Sequence, residues 1–530
     1  MLSSEKINME ALEAIQNGAA SKPIFSKDSC VVFTVLGASG DLAKKKIFPS
    51  LCNLFEKKIL PPTCQIIGCA RSSMTTQQLA DKSNPFMKAK NKDVLTEFWK
   101  RVSYVSCGAY DKAEGFITLS DKIEEFEKSH GGEKRFRLFY LALPPAVFIP
   151  VCTQLKNNCW IQSRSKSLEK FTSDRYTAEC RVIVEKPFGK DLESSNQLSQ
   201  AITALFNEQE IYRIDHYLGK EMVLNLMILR FGNELFRSVW NRERIACVVI
   251  TFKEPFGTYG RGGYFDTNGI IRDVMQNHLL QILCLVAMER PVSVHASDIR
   301  DEKVKVLKFI RPLDLDDVVL GQYTGNPDGQ TEDSKLGYRD DPGVPNDSKT
   351  ATYACAKLNI DNDRWAGVPF FIKCGKAMNE RKAEIRIQFK DTPSDIFGSK
   401  CKRNELVIRV QPDEAVYCKM NVKSPGMSFE AEESELNLTY HERFQDMDLP
   451  DAYERLILDF ILGTQTNFVR TDELAEAWRI FTPLLHKLDA GAKTPVEYPY
   501  GSRGVASADD FIRDSGFKFS GTYKWTAAKK

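Results

Sequence analysis

Three polar clusters in this 530-residue sequence carry groups able to move a proton or hold an anion. Residues 211–221 (IYRIDHYLGKE) set His216, Tyr217 and Lys220 close together, and all three can donate to a phosphate. Asp215 sits beside them as a carboxylate suited to orienting a histidine, although the segment also reads as an ordinary polar helix start. His278 follows in 270–278 (IIRDVMQNH), at the head of a helix expected to run to about residue 288. Ile271, Val274, His278 and Ile282 share one face of it at helical spacing. A lone histidine on such a face is usually a satisfied core residue. Its partner decides the matter: if Asp215 holds one ring nitrogen, the other becomes a fixed basic acceptor near neutral pH. The third cluster is 182–189 (VIVEKPFG), an apolar strand that ends on Lys186, with Pro187 keeping Lys186 out of the α region in a rigid or hinged elbow.

These groups need a frame, and the first 190 residues supply one pattern for it. Residues 30–36 (CVVFTVL) form a nearly continuous apolar run, as expected of a strand covered on both faces of a parallel sheet. Gly37-Ala38-Ser39-Gly40-Asp41-Leu42-Ala43 follows at once, then a helical stretch through about Lys58 and a second strand at 65–70. Strand, glycine loop, helix and strand make the phosphate-binding half of a Rossmann unit, in which backbone N–H groups approach a pyrophosphate at a helix N-terminus. The spacing G-x-x-G-x-x-A departs from G-x-G-x-x-G, and outside its strand–helix context it would read as a plain glycine turn. At the end of the second strand stand Arg71-Ser72-Ser73 and no carboxylate, which favours a ribose 2′-phosphate and hence NADP over NAD. The strand at 139–143 stops at a Pro pair, and both it and the Lys186 strand aim their carboxyl ends at the expected cofactor crevice.

From about residue 245 the texture changes to strands separated by short turns, at 245–250, 352–360, 383–389, 406–410 and 415–422. Ala383, Ile385, Ile387 and Phe389 alternate with Glu384, Arg386 and Gln388, which argues for an antiparallel sheet with one packed and one polar face. Arg386 and Arg409 fall on the polar side, where a solvated face is the usual outcome. Two helices are expected at 450–463 and 472–489, with Thr471 as N-cap and Gly491 beyond the end.

Composition narrows the function classes. Lys plus Arg exceed Asp plus Glu by 73 − 71 = 2, so wholesale nucleic-acid or polybasic membrane binding is not indicated and anion recognition must be local. No apolar run is long enough to span a bilayer, and neither a secretion signal nor a peroxisomal address is evident. Fourteen scattered cysteines without a C-x-x-C pair read as reduced, buried small hydrophobes rather than a zinc or disulfide framework, so no metal is expected and the cytosol is the expected compartment.

The motifs GASGDLA (37–43), EKPFG (185–189), RIDHYLGKE (213–221), GRGGYFD (260–266), RDVMQNHLLQ (272–281) and CGKAMNERKAEIR (374–386) together resemble the glucose-6-phosphate dehydrogenase family, over about residues 30–525. The resemblance implies an α/β plus α+β architecture. An N-terminal extension at 1–29 would precede an NADP-binding Rossmann-like domain at 30–212 and a larger α+β domain with a broad antiparallel sheet at 213–530, which binds substrate and dimerises. It implies oxidation of glucose 6-phosphate at C1 by NADP to the 6-phosphogluconolactone, the first step of the oxidative pentose phosphate pathway, by a homodimer or homotetramer.

Site roles follow by motif. His278 resembles the general base, Asp215 its orienting carboxylate, and Lys186 the lysine bridging substrate and cofactor. His216, Tyr217 and Lys220 resemble the 6-phosphate grip, helped by Lys376. Glu254, Asp273 and Gln411 resemble ligands of the sugar hydroxyls, with Arg381 nearby. Gly37 to Lys44 (Gly37, Ala38, Ser39, Gly40, Asp41, Leu42, Ala43 and Lys44), Arg71 and Phe148 resemble the coenzyme site, Phe148 replacing a usual Tyr. A second, structural NADP, held by some eukaryotic relatives, would engage Lys373, Lys382, Arg386, Arg409, Tyr417, Lys419, Arg503 and Trp525. Here Lys373, Asn437 and Phe519 stand where such relatives tend to have Arg, Asp and Tyr. Residues 163–179 look like a polar insertion, expected as an exposed loop. Two other readings stay open: another NAD(P)-dependent sugar oxidoreductase with a Glu-Lys-Pro strand end, and a non-catalytic NADP sensor.

Overall fold

The computed structural model describes residues 29–61, 63–130, 134–161, 177–398, 400–444, 447 and 449–519. All but the last residue of the expected N-terminal extension, most of the polar insertion (through 176) and Trp525 therefore lie outside the described residues. The last three residues of the insertion, Thr177 to Glu179, open a strand rather than continue a loop.

Two sheets organise the chain. The first contains β1 (Ser29–Leu36), β2 (Cys64–Ala70), β3 (Val102–Ser106), β4 (Lys134–Leu141), β5 (Thr177–Val184), β6 (Ile211–Ile214) and, from far downstream, β15 (Phe468–Val469), in the order β15-β6-β5-β4-β1-β2-β3. Every pairing is parallel except β15 on β6. All eight residues of β1 are buried, which is why the run reads as continuously apolar. Strand order reverses between β1 and β4, the switch point where doubly wound sheets open a ligand crevice. The strand β6 carries the sheet through Ile214, across the 212/213 boundary expected between the domains.

The second sheet contains β7 (Ile245–Lys253), β8 (Val318–Thr324), β9 (Tyr353–Asn359), β10 (Pro369–Gly375), β11 (Lys382–Phe389), β12 (Glu405–Gln411), β13 (Ala415–Lys423), β14 (Ala431–Thr439) and β16 (Val496–Pro499), in the order β14-β13-β12-β11-β7-β10-β9-β8-β16. It is antiparallel except for β7 on β10 and β8 on β16. The polar face of β11 differs from the expected solvated one. Glu384 and Gln388 are buried, because Gln388 donates to Glu405 and to the Lys518 carbonyl and Arg386 pairs with Glu384 (2.7 Å) and Glu405 (3.1 Å). The C-terminal chain covers that face, so its charges pair with one another rather than with water.

The helix that carries His278 begins with wide i→i+5 turns over Ile271–Leu279 and continues as an α-helix over Leu280–Ala287. Such turns recur at functional sites. Ile271, Val274, His278 and Ile282 are all buried, as their shared face requires. Arg272 anchors the front of this helix, donating to both Asp489 oxygens (2.6 and 3.1 Å) and to the Lys190 carbonyl. Behind it, Lys303 lies 2.7 Å from Glu473 and donates to Gln281 at 2.8 Å, fully buried. A buried pair adds little net stability, yet it defines one relative placement of the helices it joins. At Thr471–Asp489 the N-cap is Arg470, not Thr471; the Thr471 hydroxyl is drawn instead to Glu208 at 2.6 Å. Gly491, past the helix end, has φ +76°, a conformation that suits glycine.

Candidate active site

Asp215 follows directly on the carboxyl end of β6 and caps the turn His216–Gly219 by accepting the Tyr217 N–H at 3.0 Å. The same oxygen lies 2.5 Å from His278 Nδ1. A proton on Nδ1 satisfies that contact and leaves Nε2 as an acceptor. Both side chains are about 4% exposed, so the pair is desolvated. Burial disfavours the imidazolium and outweighs the stabilising Asp215 charge, with Lys186 adding to the burial effect, so the His278 pKa lies below the ordinary histidine value. Burial alone would raise Asp215, but His278, Lys186 and the Tyr217 N–H reverse this and hold its carboxyl below the usual range. The result is a neutral imidazole backed by an ionised carboxylate at neutral pH. kcat/KM is therefore expected to climb as pH rises through a value below ~6.5, the unperturbed histidine figure. The check is a pH profile of the wild-type protein's turnover beside that of His278→Asn; an acid limb at or above ~6.5, or one retained in the variant, contradicts the assignment.

The residues expected to grip a phosphate gather around this pair. The Tyr217 ring stacks on His278 at 4.7 Å between centroids, and the His216 ring meets His278 edge-on at 4.5 Å. Lys220 Nζ lies 5.1 Å over the Tyr217 ring, and Gln411 donates to the Tyr217 hydroxyl at 3.2 Å. Burial lowers both the His216 and Lys220 pKa, and neighbouring cations push His216 further down. Arg381 is close enough for its charge to be felt at Tyr217 and Lys220. Such a concentration of donors and unneutralised charge suits an anion.

Lys376 is placed differently from the phosphate group of residues. It pairs with Glu254 at 2.6 Å and stands 3.5 Å from Asp273, so it belongs with the two carboxylates expected to hold sugar hydroxyls. Lys186 closes this side, donating to the Asp273 carbonyl at 2.7 Å from the end of β5, where the Lys186–Pro187 bond is cis. A cavity of about 30 Å³ behind Lys186 and Asp215, lined also by Gln276, Gln281 and Trp478, leaves space only on the scale of single waters. Tyr453 is a residue that sequence reasoning missed: its ring stacks on His216 at 5.7 Å, reaching in from the helix Ala452–Leu462. No local pattern marks it, since its role follows only from long-range packing of that helix under the first sheet.

At the switch point Gly37 has φ +83°, and a Cβ there would stand 2.2 Å from the Ala142 carbonyl oxygen at the end of β4. Glycine alone fits. Gly37 and Ala38 donate to the Cys69 carbonyl at 2.8 and 3.2 Å, while Ser39, Gly40, Asp41, Leu42 and Lys44 face outward to differing degrees. Asp41 is held by Lys44 (2.7 Å) and Lys45 (3.0 Å). Beside the loop, Ser39, Ser72, Ser73, Met74, Gln78, Asp81 and Lys82 line an open hollow of about 460 Å³, and Asp81 is engaged by Gln77 at 2.8 Å. Arg71, next in the chain to Ser72, is exposed, its guanidinium 5.6 Å from the Tyr110 ring. A tight glycine turn, a hydroxyl-lined hollow and a surface arginine with no ion pair among the described residues fit a dinucleotide with a 2′-phosphate. Phe148 requires a correction: it is completely buried in the hydrophobic core and offers no surface to the crevice, as expected once a phenol becomes a phenyl ring.

Of the residues expected at a second coenzyme site, Lys373, Lys382, Arg386, Arg409, Tyr417 and Lys419 lie on β10 to β13 and Arg503 follows β16, and their polar groups are already engaged. Lys373 pairs with Asp509 (3.0 Å), Lys382 with Glu380 (3.1 Å), Arg386 with Glu384 and Glu405, and Lys419 approaches Glu433 (3.6 Å). Arg409 donates to the Pro412 carbonyl at 2.8 Å, Tyr417 is buried, and Arg503 is exposed 3.8 Å from Asp509.

Comparison with known proteins matches both halves. Residues 34–225 match the NAD binding domain of glucose-6-phosphate dehydrogenase, and residues 227–525 match its C-terminal domain. Glucose-6-phosphate 1-dehydrogenase of Drosophila melanogaster is 55% identical over 502 residues, covering 94% of this chain and 92% of that protein. The mouse glucose-6-phosphate 1-dehydrogenase 2 is 54% identical over 516 residues, 97% of this chain and 96% of its own. A solved structure of glucose-6-phosphate dehydrogenase in complex with its substrate glucose-6-phosphate superposes with a TM-score of 0.87 at 49% identity, covering 93% of this chain and 99% of that one. Among the described residues no group of three or more His, Cys, Asp or Glu is arranged to hold a metal, and no helix is long and apolar enough to cross a membrane.

Proposed function

The chain belongs to the glucose-6-phosphate dehydrogenase family, and from that premise we propose that the crevice around His278 and Asp215 oxidises glucose 6-phosphate with NADP. The product is the 6-phospho-1,5-lactone, with NADPH formed alongside it. The observation that carries the residue assignment is the His278–Asp215 contact, buried among phosphate-binding side chains.

His278 Nε2 accepts the O1 proton of the sugar, and Asp215 keeps that nitrogen aimed and stabilises the imidazolium as it forms. When bound, NADP supplies the oxidised nicotinamide that takes the hydride from C1. Lys220, His216 and Tyr217 hold the 6-phosphate at the far end, and Glu254 and Asp273 accept sugar hydroxyls with Lys376 setting their positions. Gln411 orients the Tyr217 hydroxyl, and Arg381 adds positive charge near it. Lys186 fixes the backbone of Asp273 while its ammonium faces the junction of sugar and coenzyme. Gly37 to Lys44 and Arg71 receive the pyrophosphate and the 2′-phosphate. This activity is the first step of the oxidative pentose phosphate pathway, and we place the enzyme in the cytosol as a homodimer or homotetramer. We place the boundary between the Rossmann-like domain and the α+β domain after Ile214, where β6 ends, rather than between residues 212 and 213.

NADPH absorbance followed with glucose 6-phosphate, NADP and a chelator tests the reaction; robust turnover is expected, and activity with other sugars but not this one would refute it. Arg71→Ala is expected to raise KM for NADP on the order of tenfold while leaving NAD nearly unaffected, as loss of a phosphate-matched guanidinium requires. Equal losses for the two coenzymes would remove Arg71 from the 2′-phosphate.

A further inference from the structure

The cavity of about 30 Å³ behind the acid–base pair brings Asp215 together with two glutamines of the His278 helix, Gln276 from its wide turns and Gln281 from its α-helical part. Gln276 is 4% exposed and Gln281 3%. The Gln276 amide has no hydrogen-bond partner among the described residues. Gln281 uses only its oxygen, which accepts from Lys303 Nζ at 2.8 Å. An ammonium offers no acceptor, so this amide has a fixed orientation, and its NH2 group has no partner among the described residues. Asp215 is likewise half engaged. Its Oδ1 accepts the Tyr217 N–H and meets His278 Nδ1, whereas Oδ2 takes no bond from a described residue.

We propose that Gln276 and Gln281 are positioning residues for the acid–base pair: through enclosed water their amides donate to Asp215 Oδ2, which pins the carboxylate and leaves Oδ1 on His278. Buried carboxylate and amide atoms without partners cost free energy, and a water among them removes that cost. The space suffices, since one water needs about 10–15 Å³ and roughly two to four polar partners. Other polar neighbours are committed elsewhere: Arg272 donates to Asp489, Asn277 to the Arg272 carbonyl, and Trp478 to the Phe188 carbonyl. Lys186 also lines the cavity and adds a donor beyond the one it spends on the Asp273 carbonyl. The direction of the chain is set from its far end. Lys303 and Glu473, 2.7 Å apart and fully buried, reach in from the helices Ala296–Lys308 and Thr471–Asp489. The Lys303 charge polarises Gln281 through its oxygen, which strengthens the amide N–H as a donor to the water and the water as a donor to Asp215. Turning the carboxylate so that its oxygens exchange would unseat His278 Nδ1, and with Oδ2 held that turn must break the water bond as well. The buried ion pair thereby serves the site, where its net contribution to stability is small.

The positioning role rests on the reading of His278 and Asp215 as the acid–base pair, whereas the water does not. A crystal structure of the full chain, at a resolution that shows ordered solvent, is expected to place a water within about 3.2 Å of Asp215 Oδ2 and of at least one of the two amides. Gln276→Met and Gln281→Met keep the side-chain length and remove the amide. Each is expected to lower kcat about 3- to 10-fold, with KM for glucose 6-phosphate and for NADP within about twofold of wild type. On an Asp215→Asn background the same substitutions are expected to change kcat by less than about twofold, because the anionic oxygen they serve is gone. A structural role would persist on that background. A dry cavity, a water out of reach of Asp215, unchanged kcat in both variants, or losses of the same size on the Asp215→Asn background would overturn the proposal; should a variant not fold, the wild-type cavity decides. If the wild-type protein does not oxidise glucose 6-phosphate, the acid–base reading fails and the positioning role with it, while the crystal structure still judges the water at Asp215.

Discussion

Replacing His278 with asparagine is expected to lower kcat by roughly 10²-fold to 10⁴-fold, with KM for glucose 6-phosphate changed by only a few-fold. Asparagine keeps a polar group of similar reach, so Asp215 and Tyr217 retain a neighbour, but it cannot take a proton. The loss thus falls on the chemical step. The O1 proton must leave as hydride departs from C1, and in a site this dry no bulk water substitutes for the missing base. The His278 side chain is 4% exposed, and its ring is enclosed by those of His216 and Tyr217. Steady-state kinetics with both substrates saturating distinguishes the outcomes. Turnover within a few-fold of wild type would reject His278 as the base; a raised KM with normal kcat would recast it as a binding residue.

The second large effect is expected at Lys220. Lys220→Met keeps the apolar stem over the Tyr217 ring but removes the ammonium, and should raise KM for glucose 6-phosphate on the order of 10- to 100-fold, as for loss of a charge-assisted hydrogen bond. Burial lowers the Lys220 pKa despite the opposing Asp451 and Glu414 charges, so the ammonium sits where its charge is disfavoured and gains most from a dianionic phosphate. Because phosphate binding also orients C1, some fall in kcat accompanies the rise in KM. Turnover of unphosphorylated glucose supplies the control, since it should be nearly unaffected. A KM unchanged for the phosphorylated sugar, or equal losses for both sugars, would place the phosphate elsewhere.

Much of this arrangement is legible before any coordinates. The first sheet is, because a strand buried on both faces leaves an unbroken apolar run, as in β1, and because Gly37 must be glycine where its Cβ would meet the Ala142 carbonyl. His278 and Asp215 are individually visible, but 63 residues separate them and no periodicity joins a turn after β6 to a helix face. Their contact needs the fold. Four strands escaped the period-two reading for local reasons. Pro opens β10, Gly321 interrupts β8, β14 is polar at most positions, and β16 has four residues. The covered polar face of β11 was illegible because its cover comes from the chain near Lys518, some 130 residues away. Phe148 shows the limit of transfer by resemblance, since its side chain lies wholly in the core.

The most direct test is a crystal structure of the enzyme with glucose 6-phosphate and NADP both bound. His278 Nε2 is expected within about 3.2 Å of the sugar O1, with Nδ1 still on Asp215, C1 facing the nicotinamide and the phosphate at Lys220. An imidazole turned away from O1, or an Asp215 parted from it with both ligands in place, would contradict the account at its centre.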